Sequence, residues 1–483
     1  MKKLPPERRL EPARIERLEA RIAPATFTVK NLHDAGAGSL RNAIDQANDA
    51  SGADEIVFKA GLHGKLNLDS VLEITDSVTI DGPGRLGIVI SGQAKTQLFA
   101  INGDGLEVSI SNFLLKKGRA ENGGAIAIDN PNGTVTIAGC TLEKNIAAGA
   151  RGDAETLDGG SAAGGALYVA AGALDLKNSK LTGNQARGGN GFTETRTYDD
   201  GYGEITYDVE YSGGDASGGA LFVDVGATAN ISESRIKFNT AIGGRGLGVS
   251  GGYGGGIANA GEVTISSSKI KRNEASGALL AQGGGLHNWG TASLDEVTVA
   301  GNQLGAIEGA KGVSVAGGGI FNGDGQTLTI QHSTISGNVG IASNGYRGAD
   351  GAKGYNGPDG EDGPNGDRGS NGYDGYAGYS GGSGYDGYSG GYGGSALGGG
   401  IYNAGTLTLM TSVISGNQMQ AGKGGNGGDG GRGGRGGDGG DGGNGGPACN
   451  AYGYHYPGGY GGSGGDGGYG GNGGSGGAGG GGG

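Results

Sequence analysis

Four acidic residues, Asp175, Glu233, Asp295 and Glu296, are the best candidates in this chain for carboxylate chemistry. A pair of carboxylates can perform general acid and base catalysis, and a larger group of carboxylate oxygens can bind Ca²⁺. The four are spread over more than a hundred residues, and we assign them to no shared position in the sequence. We therefore expect no catalytic residues, no cofactor-binding residues and no metal centre.

A second set of carboxylates lies in glycine-rich segments nearer the C-terminus: Asp350, Asp359, Asp362, Asp367, Asp429, Asp438 and Asp441. These could bind Ca²⁺ weakly, but the aliphatic position of the calcium-binding nonapeptide repeat is absent around them. We favour the interpretation that they are solvated charges that keep a glycine-rich segment soluble.

A sequence repeat between residues 123 and 417 determines how most of the chain outside these acidic residues is organised. Each of seven copies opens with Gly-Gly-[Ala/Gly]-[Ile/Leu] and closes with an Asn three places after an aliphatic residue. The opening glycines are Gly123, Gly164, Gly218, Gly254, Gly283, Gly317 and Gly398. The closing residues are Asn145, Asn184, Asn239, Asn273, Asn302, Asn338 and Asn417, and the aliphatic residues before them are Leu142, Leu181, Ile236, Ile270, Val299, Ile335 and Ile414.

Each copy contains apolar residues at alternate positions, such as Val263 and Ile265, bounded by Gly, Asn, Ser or Thr, which is typical of short strands. One copy cannot bury its apolar face alone. Stacking of copies about 4.8 Å apart buries a continuous interior, so the pattern predicts an all-β coiled parallel solenoid with aliphatic ladders.

Asparagines also recur in the opening strands of the later copies, at Asn259, Asn288, Asn322 and Asn403, where the earlier copies have Ile128, Val169 and Val223. A buried Asn is costly unless its amide is paired, and stacked amides can pair from copy to copy. We interpret the repeated Asn as structural and the repeated Gly as turn or close-approach positions. No helix and no Lys-Ser/Thr follows these glycines, as a phosphate-binding loop would require.

The segments between one closing Asn and the next opening Gly vary from nine residues (274–282) to fifty-nine (339–397). All length variation is therefore predicted to leave the solenoid at one corner. In the longest segment Gly occupies every third position from Gly345 to Gly393. A collagen-like helix would need more Pro and would run about 150 Å at ~3.1 Å per residue, whereas both ends must meet neighbouring copies. We favour a segment folded back as polyglycine-II-like runs, or one that stays disordered.

The tail, residues 418–483, leaves from the same corner with a Gly-Gly-x period and could lie beside the insert. Tyrosines recur after Gly in both segments: Tyr346, Tyr355, Tyr373, Tyr376, Tyr379, Tyr385 and Tyr388 in the insert, and Tyr452, Tyr454, Tyr456, Tyr460 and Tyr469 in the tail. Such repeats suit weak multivalent adhesion, or they form a solvated spacer.

The composition narrows the choice of partners. A net charge of −13 argues against nucleic acid and anionic membrane surfaces. Two cysteines, Cys140 and Cys449, form no disulfide framework, and the five histidines lack zinc spacing. No apolar run is long enough for a transmembrane helix.

The N-terminal part of the chain divides into a basic segment and a cap. Residues 1–25 lack the apolar core of a secretory signal and could be a sorting signal, with helical spacing from Pro12 to Ile22. Residues 26–122 form the cap and first copies. In them Ser39 is the predicted N-cap of a short amphipathic helix over residues 39–48, which would cover the open end of the solenoid ahead of strands 55–59 and 77–81.

Several parts of the chain resemble known bacterial proteins. The runs Gly38–Ile44, Asp54–Phe58 and Val78–Gly84 look like right-handed parallel β-helix proteins of the pectin-lyase-like superfamily. The repeat is similar to that of chlamydial polymorphic outer-membrane proteins, with Leu, Ile or Val in place of Phe. Residues 18–24 look like the LEPR-XLL-type segment of planctomycete surface proteins, with Ala20 in place of Pro, and the tail is similar to glycine-rich mycobacterial surface proteins. These resemblances imply export to the bacterial surface by an unknown route.

Many pectin-lyase-like proteins cleave acidic polysaccharides, but this chain has no Asn-Thr-Asp and no Gly-His-Gly triplet, which are motifs of those enzymes. It does contain an Arg-Ile-Lys triplet, Arg235–Lys237, but Ile236 there is the aliphatic residue of the repeat, three places before Asn239. We therefore expect a non-enzymatic surface or secreted β-helix, whose corner displays Gly/Tyr-rich extensions for adhesion or matrix contact. Self-association through these extensions is a further expectation. The alternative is a β-helix that binds or cleaves polysaccharide along one face.

Overall fold

A computed structural model describes residues 24–84, 87–199, 204–246, 250–365, 373–442 and 474. Its parallel strands form four stacks, here called sheets A to D, with one antiparallel hairpin, Thr193–Asp199 with Glu204–Glu210, and the helix Leu40–Asp49. The helix predicted between Pro12 and Ile22 lies outside the described residues.

Sheet A is the widest of the four stacks and contains two columns of strands. The opening column, which carries the Ile/Leu of each repeat, comprises Leu72–Ile74, Phe99–Asn102, Ile126–Ala138, Leu167–Lys177, Leu221–Val223, Ile257–Asn259, Leu286–Asn288, Ile320–Asn322 and Ile401–Asn403. The second column comprises Thr26–Val29, Asp54–Phe58, Val78–Asp81, Glu107–Ser111, Thr228–Ser232, Glu262–Ser266, Thr291–Asp295, Thr327–Gln331 and Thr406–Met410. The long strands Ile126–Ala138 and Leu167–Lys177 run through both columns.

Sheets B, C and D complete each turn of the coil. Sheet B contains Gly64–Asn67, Ile88–Ser91, Leu114–Lys116, Thr141–Glu143, Lys180–Thr182, Arg235–Lys237, Lys269–Lys271, Thr298–Ala300, Thr334–Ser336 and Val413–Ser415. Sheet C contains Arg119–Ala120, Ile146–Ala148, Gln185–Arg187, Thr240–Ile242, Glu274–Gly277, Gln303–Ala306, Val339–Ile341 and Gln418–Gln420. Sheet D contains Ala162–Ala163, Ala216–Ser217, Gly251–Tyr253, Leu280–Gln282, Ser314–Ala316 and Ala396–Leu397.

From the strand Ile126–Ala138 onward, one turn, or rung, visits the four sheets in order, and equivalent residues of successive rungs pair in parallel register. The opening Ile257, for example, pairs with Leu221 of the preceding rung and Leu286 of the following one. All three side chains are fully buried. The strands therefore build aliphatic ladders along one core, and the predicted parallel β-helix is confirmed.

Glycine at the start of each repeat permits the tight turn into the opening strand. All seven opening glycines have φ between +61° and +72°, a region that side chains rarely adopt. The second glycine meets a different constraint, because a Cβ on Gly165 would lie 2.1 Å from the carbonyl oxygen of Gly219. Both predicted reasons for glycine are thus present.

The closing asparagines form one continuous ladder inside the rod. Each donates its backbone N–H and one side-chain N–H to Oδ1 of the next Asn, at 2.8–3.0 Å, from Asn145 to Asn417. The second side-chain N–H donates to a carbonyl of the preceding rung, as from Asn273 to Ile236. The structural interpretation of these asparagines is confirmed.

A shorter ladder runs through the opening strands of the last four rungs. Asn259, Asn288, Asn322 and Asn403 pair amide to amide at 2.7–2.8 Å. The ladder starts at Asn259, whose Oδ1 is buried without a hydrogen-bond partner among the described residues because Val223 precedes it in register.

A third ladder, of serines, was not predicted. The hydroxyl oxygens of Ser179, Ser234, Ser268, Ser333 and Ser412 each accept a backbone N–H from the preceding rung at 3.0–3.2 Å. Several of these serines also donate to the carbonyl two residues earlier, as Ser234 does to Ser232. The hydroxyl thus satisfies backbone groups at a bend of the coil.

The helix closes the first rung as predicted. Ser39 is its N-cap and accepts a hydrogen bond from the backbone N–H of Asn42. Leu40, Ala43, Ile44 and Ala47 are buried and belong to the same core cluster as the first rungs. The helix therefore covers apolar surface that an uncapped coil would expose.

The large insertions leave the rod between sheets C and D, as predicted, but the expectation that all length variation lies at this corner was wrong. The link between the two columns of sheet A also varies, with two residues after Asn259 and four after Asn322. The longest excursion begins after the sheet C strand Val339–Ile341 and ends before the sheet D strand Ala396–Leu397. Strands at both ends anchor it to adjacent rungs.

Candidate functional site

The longest insert and the tail form a bundle of three extended segments at the corner of the rod. We call residues 343–364 arm 1, residues 373–394 arm 2 and residues 422–441 the tail segment, and the three together the glycine bundle. Hydrogen bonds recur at every third residue along each segment. Such a period is that of a three-residue-per-turn extended helix. The fold-back alternative for the insert is therefore what the structure shows.

The hydrogen bonds of the glycine bundle run in a cycle. Arm 1 donates to the tail segment, as from Gly351 N–H to the carbonyl of Asp429 at 2.7 Å. The tail segment donates to arm 2, as from Gly431 to Tyr385 at 2.8 Å, and arm 2 donates to arm 1, as from Tyr385 to Ala352 at 2.9 Å. Each segment thus donates to one neighbour and accepts from the other.

The direction of the segments separates this bundle from collagen. Residue numbers in the tail segment rise with those of their arm 1 partners, from Gly345 with Lys423 to Gly363 with Asp441, so these two are parallel. Numbers in arm 2 fall as those in arm 1 rise, from Gly391 with Tyr346 to Tyr376 with Glu361, so arm 2 is antiparallel to both. A collagen triple helix has three parallel chains.

Glycine is required wherever two segments of the bundle face each other. A Cβ on Gly351 would lie 1.9 Å from the carbonyl oxygen of Tyr385, and one on Gly431 would lie 1.9 Å from that of Ala352. The backbones approach too closely for any side chain. The period of three in the sequence is therefore a packing requirement.

Tyrosines of the two arms line the seam between them, and their positions are complementary. Where arm 1 carries Tyr346 and Tyr355, the paired residues of arm 2 are Gly391 and Gly382, and each ring lies over its glycine. At the other five levels arm 2 carries the tyrosine, and arm 1 carries a different residue. Those tyrosines are Tyr373, Tyr376, Tyr379, Tyr385 and Tyr388, opposite Pro364, Glu361, Pro358, Ala352 and Ala349.

The result is one tyrosine at each of seven successive levels, here called the tyrosine stripe. The seven side chains are 61% to 71% exposed. At ~3.1 Å per residue the levels are about 9.3 Å apart, and the stripe is roughly 55 Å long. Sequence reasoning found these tyrosines but missed their pairing, because it requires knowing which residues of the two antiparallel arms are opposite each other.

Three exposed carboxylates of the glycine bundle make backbone contacts, a role that their interpretation as solvated charge did not include. Asp350, Asp359 and Asp362 of arm 1 accept the backbone N–H groups of Asp429, Asp438 and Asp441 at 2.7–2.8 Å. Asn344 and Asn356 accept from the same segment. These side chains hold the tail segment against arm 1, and Asp367 lies outside the described residues.

Electrostatics reinforce the contact at Asp350. The Asp429 N–H and the Arg347 guanidinium, 2.8 Å away, hold the pKa of this exposed carboxyl below its ordinary value. Arg347 also lies 3.2 Å from the Asp429 carboxylate, so it bridges the two acidic side chains. Among the described residues no group of three or more His, Cys, Asp or Glu side chains is arranged to hold a metal ion.

The four carboxylates with which the sequence analysis began are not brought together. Asp175 lies three rungs from the rung of Asp295, roughly 14 Å along the rod. Partial burial acts to raise the pKa of Asp175, but hydrogen bonds from Lys177 and Asn230 hold it below its ordinary value. Asp295 contacts His332 at 2.9 Å, and this hydrogen bond lowers its pKa.

Glu233 and Glu296 do share a repeat position, which corrects our expectation. Both occupy the positive-φ turn after the second strand of sheet A, with Ser267 at the same turn of the rung between them. Two rungs separate their backbones by about 9.6 Å, and Ser267 donates a hydrogen bond to Glu296. The side chain of Ser267 therefore lies between Glu233 and Glu296, where two catalytic carboxylates would need space for a substrate.

Cys140 is not a reactive group. Burial raises the pKa of its thiol to about 11. Its backbone N–H donates to Ser179, so it occupies the position that serine holds in later rungs. Cys449 lies outside the described residues.

Comparison with known proteins shows no family to which this chain belongs. No family model matches the chain, and no curated protein matches it. Among solved structures, it is similar to PfbA, a surface adhesin of Streptococcus pneumoniae, with 11% identity over 80% of this chain and 89% of that one, at a TM-score of 0.33. The resemblances to pectin-lyase-like, chlamydial and planctomycete proteins therefore stay predictions.

Proposed function

We propose that this protein is a non-enzymatic adhesion protein of the bacterial surface or exterior, in which a β-helical rod holds the glycine bundle outward as a ligand-binding arm. The tyrosine stripe is the observation that carries the proposal. Seven exposed rings at a regular spacing offer repeated weak contacts to an extended polymer, and several such contacts multiply through effective concentration.

The construction of the bundle favours a binding role over that of a spacer. A spacer has no need of a regular row of aromatic rings, yet at each of the seven levels of the stripe one of the two paired residues is a tyrosine and the other is not. Exposed aromatic side chains add apolar surface that a purely solvated segment avoids.

The ligand class that fits best is a polysaccharide, since tyrosine rings stack on the apolar faces of sugar rings while their hydroxyls hydrogen-bond. The protein's charge of −13 favours a neutral or cationic polymer over an acidic one. Self-association through bundles of neighbouring copies is a second consequence of the same surface. Within the described residues no helix is long and apolar enough to cross a membrane.

A cosedimentation assay with a panel of insoluble polysaccharides tests the proposal. The stripe variant replaces Tyr373, Tyr376, Tyr379, Tyr385 and Tyr388 with Ser. The matched control replaces Tyr198 and Tyr207 of the hairpin, which are also exposed, with Ser. We expect the stripe variant to bind at least tenfold more weakly and the control to bind like the unchanged protein.

Equal binding by both variants would contradict the adhesion proposal. A third variant, Asp175→Asn with Asp295→Asn, examines the alternative of polysaccharide cleavage along the rung face. Release of reducing or unsaturated sugar ends by the unchanged protein, lost in this variant, would establish that alternative instead.

A further inference from the structure

A column of aromatic residues runs up the outside of sheet A, at the middle position of each opening strand. In register it contains Tyr168, Phe222, Ala258, His287, Phe321 and Tyr402. Neighbouring rings stack, with centroids 5.5 Å apart for Tyr168 and Phe222 and 5.0 Å apart for His287 and Phe321. The column is interrupted once, at Ala258.

A cavity of about 400 Å³ opens beside this interruption. Phe222 lines it from the rung before Ala258, and His287 and Trp289 line it from the rung after. Tyr253, tilted against His287 with centroids 5.1 Å apart, forms a further wall. The small side chains of Ala258 and Ala260 leave the space open, and its size suits a small organic ligand.

Asp215 is the charged side chain of this aromatic cavity. Its Oδ1 accepts the backbone N–H of Gly251 at 2.7 Å, and Oδ2 has no hydrogen-bond partner among the residues that the structure describes. No Lys or Arg lines the cavity among those residues. A carboxylate with a free oxygen beside aromatic walls complements a positive charge.

The other titratable groups of the cavity stay neutral. Burial lowers the pKa of His287 to about 3, and the His287 ring lies 3.2 Å from Gln282 Oε1. Burial, with the nearby charge of Asp215, raises the pKa of Tyr253 to about 12. Asp215 is therefore the group of the cavity that can carry a charge; burial raises the pKa of its carboxyl, and the hydrogen bond from the Gly251 N–H acts to lower it.

We propose that this aromatic cavity binds a small organic ammonium ion with an apolar or aromatic body. The ammonium group pairs with Oδ2 of Asp215, and the apolar body contacts Phe222, Tyr253 and Trp289. Cation–π attraction and a desolvated counter-ion both favour the charged ligand over a neutral molecule of the same shape. Acidic ligands are excluded by the same carboxylate.

The chain contains a single tryptophan, so the fluorescence of Trp289 reports directly on the cavity. The full-length protein is titrated at pH 7 with benzylammonium, benzyl alcohol and benzoate, which share a ring and differ in charge. We expect a saturable change with benzylammonium, at least tenfold weaker binding of benzyl alcohol, and no saturation with benzoate. Equal affinities for the three, or no saturation with benzylammonium, would overturn the proposal.

Two variants test the contribution of the Asp215 charge and that of the open space in the cavity separately. Asp215→Asn keeps an acceptor for the Gly251 N–H but removes the charge, so binding of benzylammonium should weaken about tenfold, to the level of benzyl alcohol. Ala260→Leu fills the space and should abolish binding of both while leaving Asp215 in place. Unchanged benzylammonium binding in either variant would contradict the proposed site.

Discussion

The rungs and the glycine bundle both repeat a hydrogen-bonding unit along an axis, but they are stabilised in opposite ways. A rung buries side chains, and its interior contains aliphatic, asparagine and serine ladders. The bundle buries backbone alone, because its segments meet through glycines that leave no room for a Cβ. Substitution inside a rung removes contacts, whereas substitution inside the bundle adds an atom with no space for it.

This difference explains why the two regions tolerate different sequences. A rung accepts Leu, Ile or Val at its aliphatic positions because volume and apolarity are what the core needs. The bundle accepts no residue but Gly at its contact positions, yet almost any residue on its outer faces. Its surface is therefore free to carry a functional pattern such as the tyrosine stripe.

The largest expected effect comes from the interior of the asparagine ladder. Asn273→Ala removes the acceptor of two Asn239 N–H groups and the donor to Ile236 and Asn302, all of them buried. Leaving these groups unpaired should lower the free energy of unfolding by about 3–5 kcal/mol. Denaturant unfolding of the rod measures this loss. Asn417→Ala, at the half-exposed end of the ladder, is the control and should cost about 1 kcal/mol.

A single glycine in the bundle should disrupt the bundle without unfolding the rod. Gly431→Ala places a Cβ 1.9 Å from the Ala352 carbonyl oxygen, so the three segments must separate there, at roughly 1–3 kcal/mol. Hydrogen exchange should accelerate in the bundle while the thermal unfolding of the rungs stays unchanged. Gly305→Ala, where nothing lies within 4 Å, is the matched control and should change neither. A shift of the rod's unfolding by Gly431→Ala would show that the regions are not separable.

Acid should loosen the bundle before the rungs. Because the folded pKa of Asp350 lies below its ordinary value, its contribution is complete above that ordinary value and is lost as pH falls through the lowered folded pKa. The Asp429 amide donates to Asp350, so its protection factor, the exchange rate relative to that of an unstructured amide at the same pH, should fall as the pH drops below the ordinary Asp range. Asp350→Asn keeps the acceptor and should remove this pH dependence. An identical pH profile in that variant would exclude the carboxyl as its cause.

The smallest effect is expected at Cys140. Its backbone N–H already donates to the serine ladder at Ser179, and its buried side chain contacts the Ile110 carbonyl oxygen at 3.6 Å. A serine there extends an existing pattern, so Cys140→Ser should change the free energy of unfolding by less than about 1 kcal/mol. Ser234→Ala, which removes a ladder acceptor, should cost more. A larger loss from Cys140→Ser would mean that the rung of Cys140 does not accept the serine pattern.

Much of the rod could be predicted from sequence because each rung repeats the same pattern of residue types. The Ile/Leu after Gly-Gly and the closing Asn recur at fixed offsets, and any parallel stack places equal positions above one another. The serine ladder escaped prediction because Ser179 and Ser234 resemble ordinary turn residues. The aromatic column escaped too, since Tyr168, Phe222 and His287 have no common chemistry except a planar ring.

The candidate sites depend on contacts between distant segments, which a repeat does not encode. Tyr355 and Gly382 are opposite each other only because the insert reverses between them. Asp215 and Trp289 meet because one lies before sheet D and the other after the opening strand, two rungs apart. The types of residue in each site could be read from the sequence, but which of them face each other became known only from the fold.

Hydrogen exchange resolved to single amides tests the central contrast most directly. In arm 1 only the N–H of Gly345, Gly348, Gly351 and each third residue onward should be protected by the tail segment, while the rungs show protection along their strands. A three-residue period of slow amides across 345–363 is the predicted result. Uniformly fast exchange there, beside protected rungs, would contradict an ordered glycine bundle and the stripe built on it.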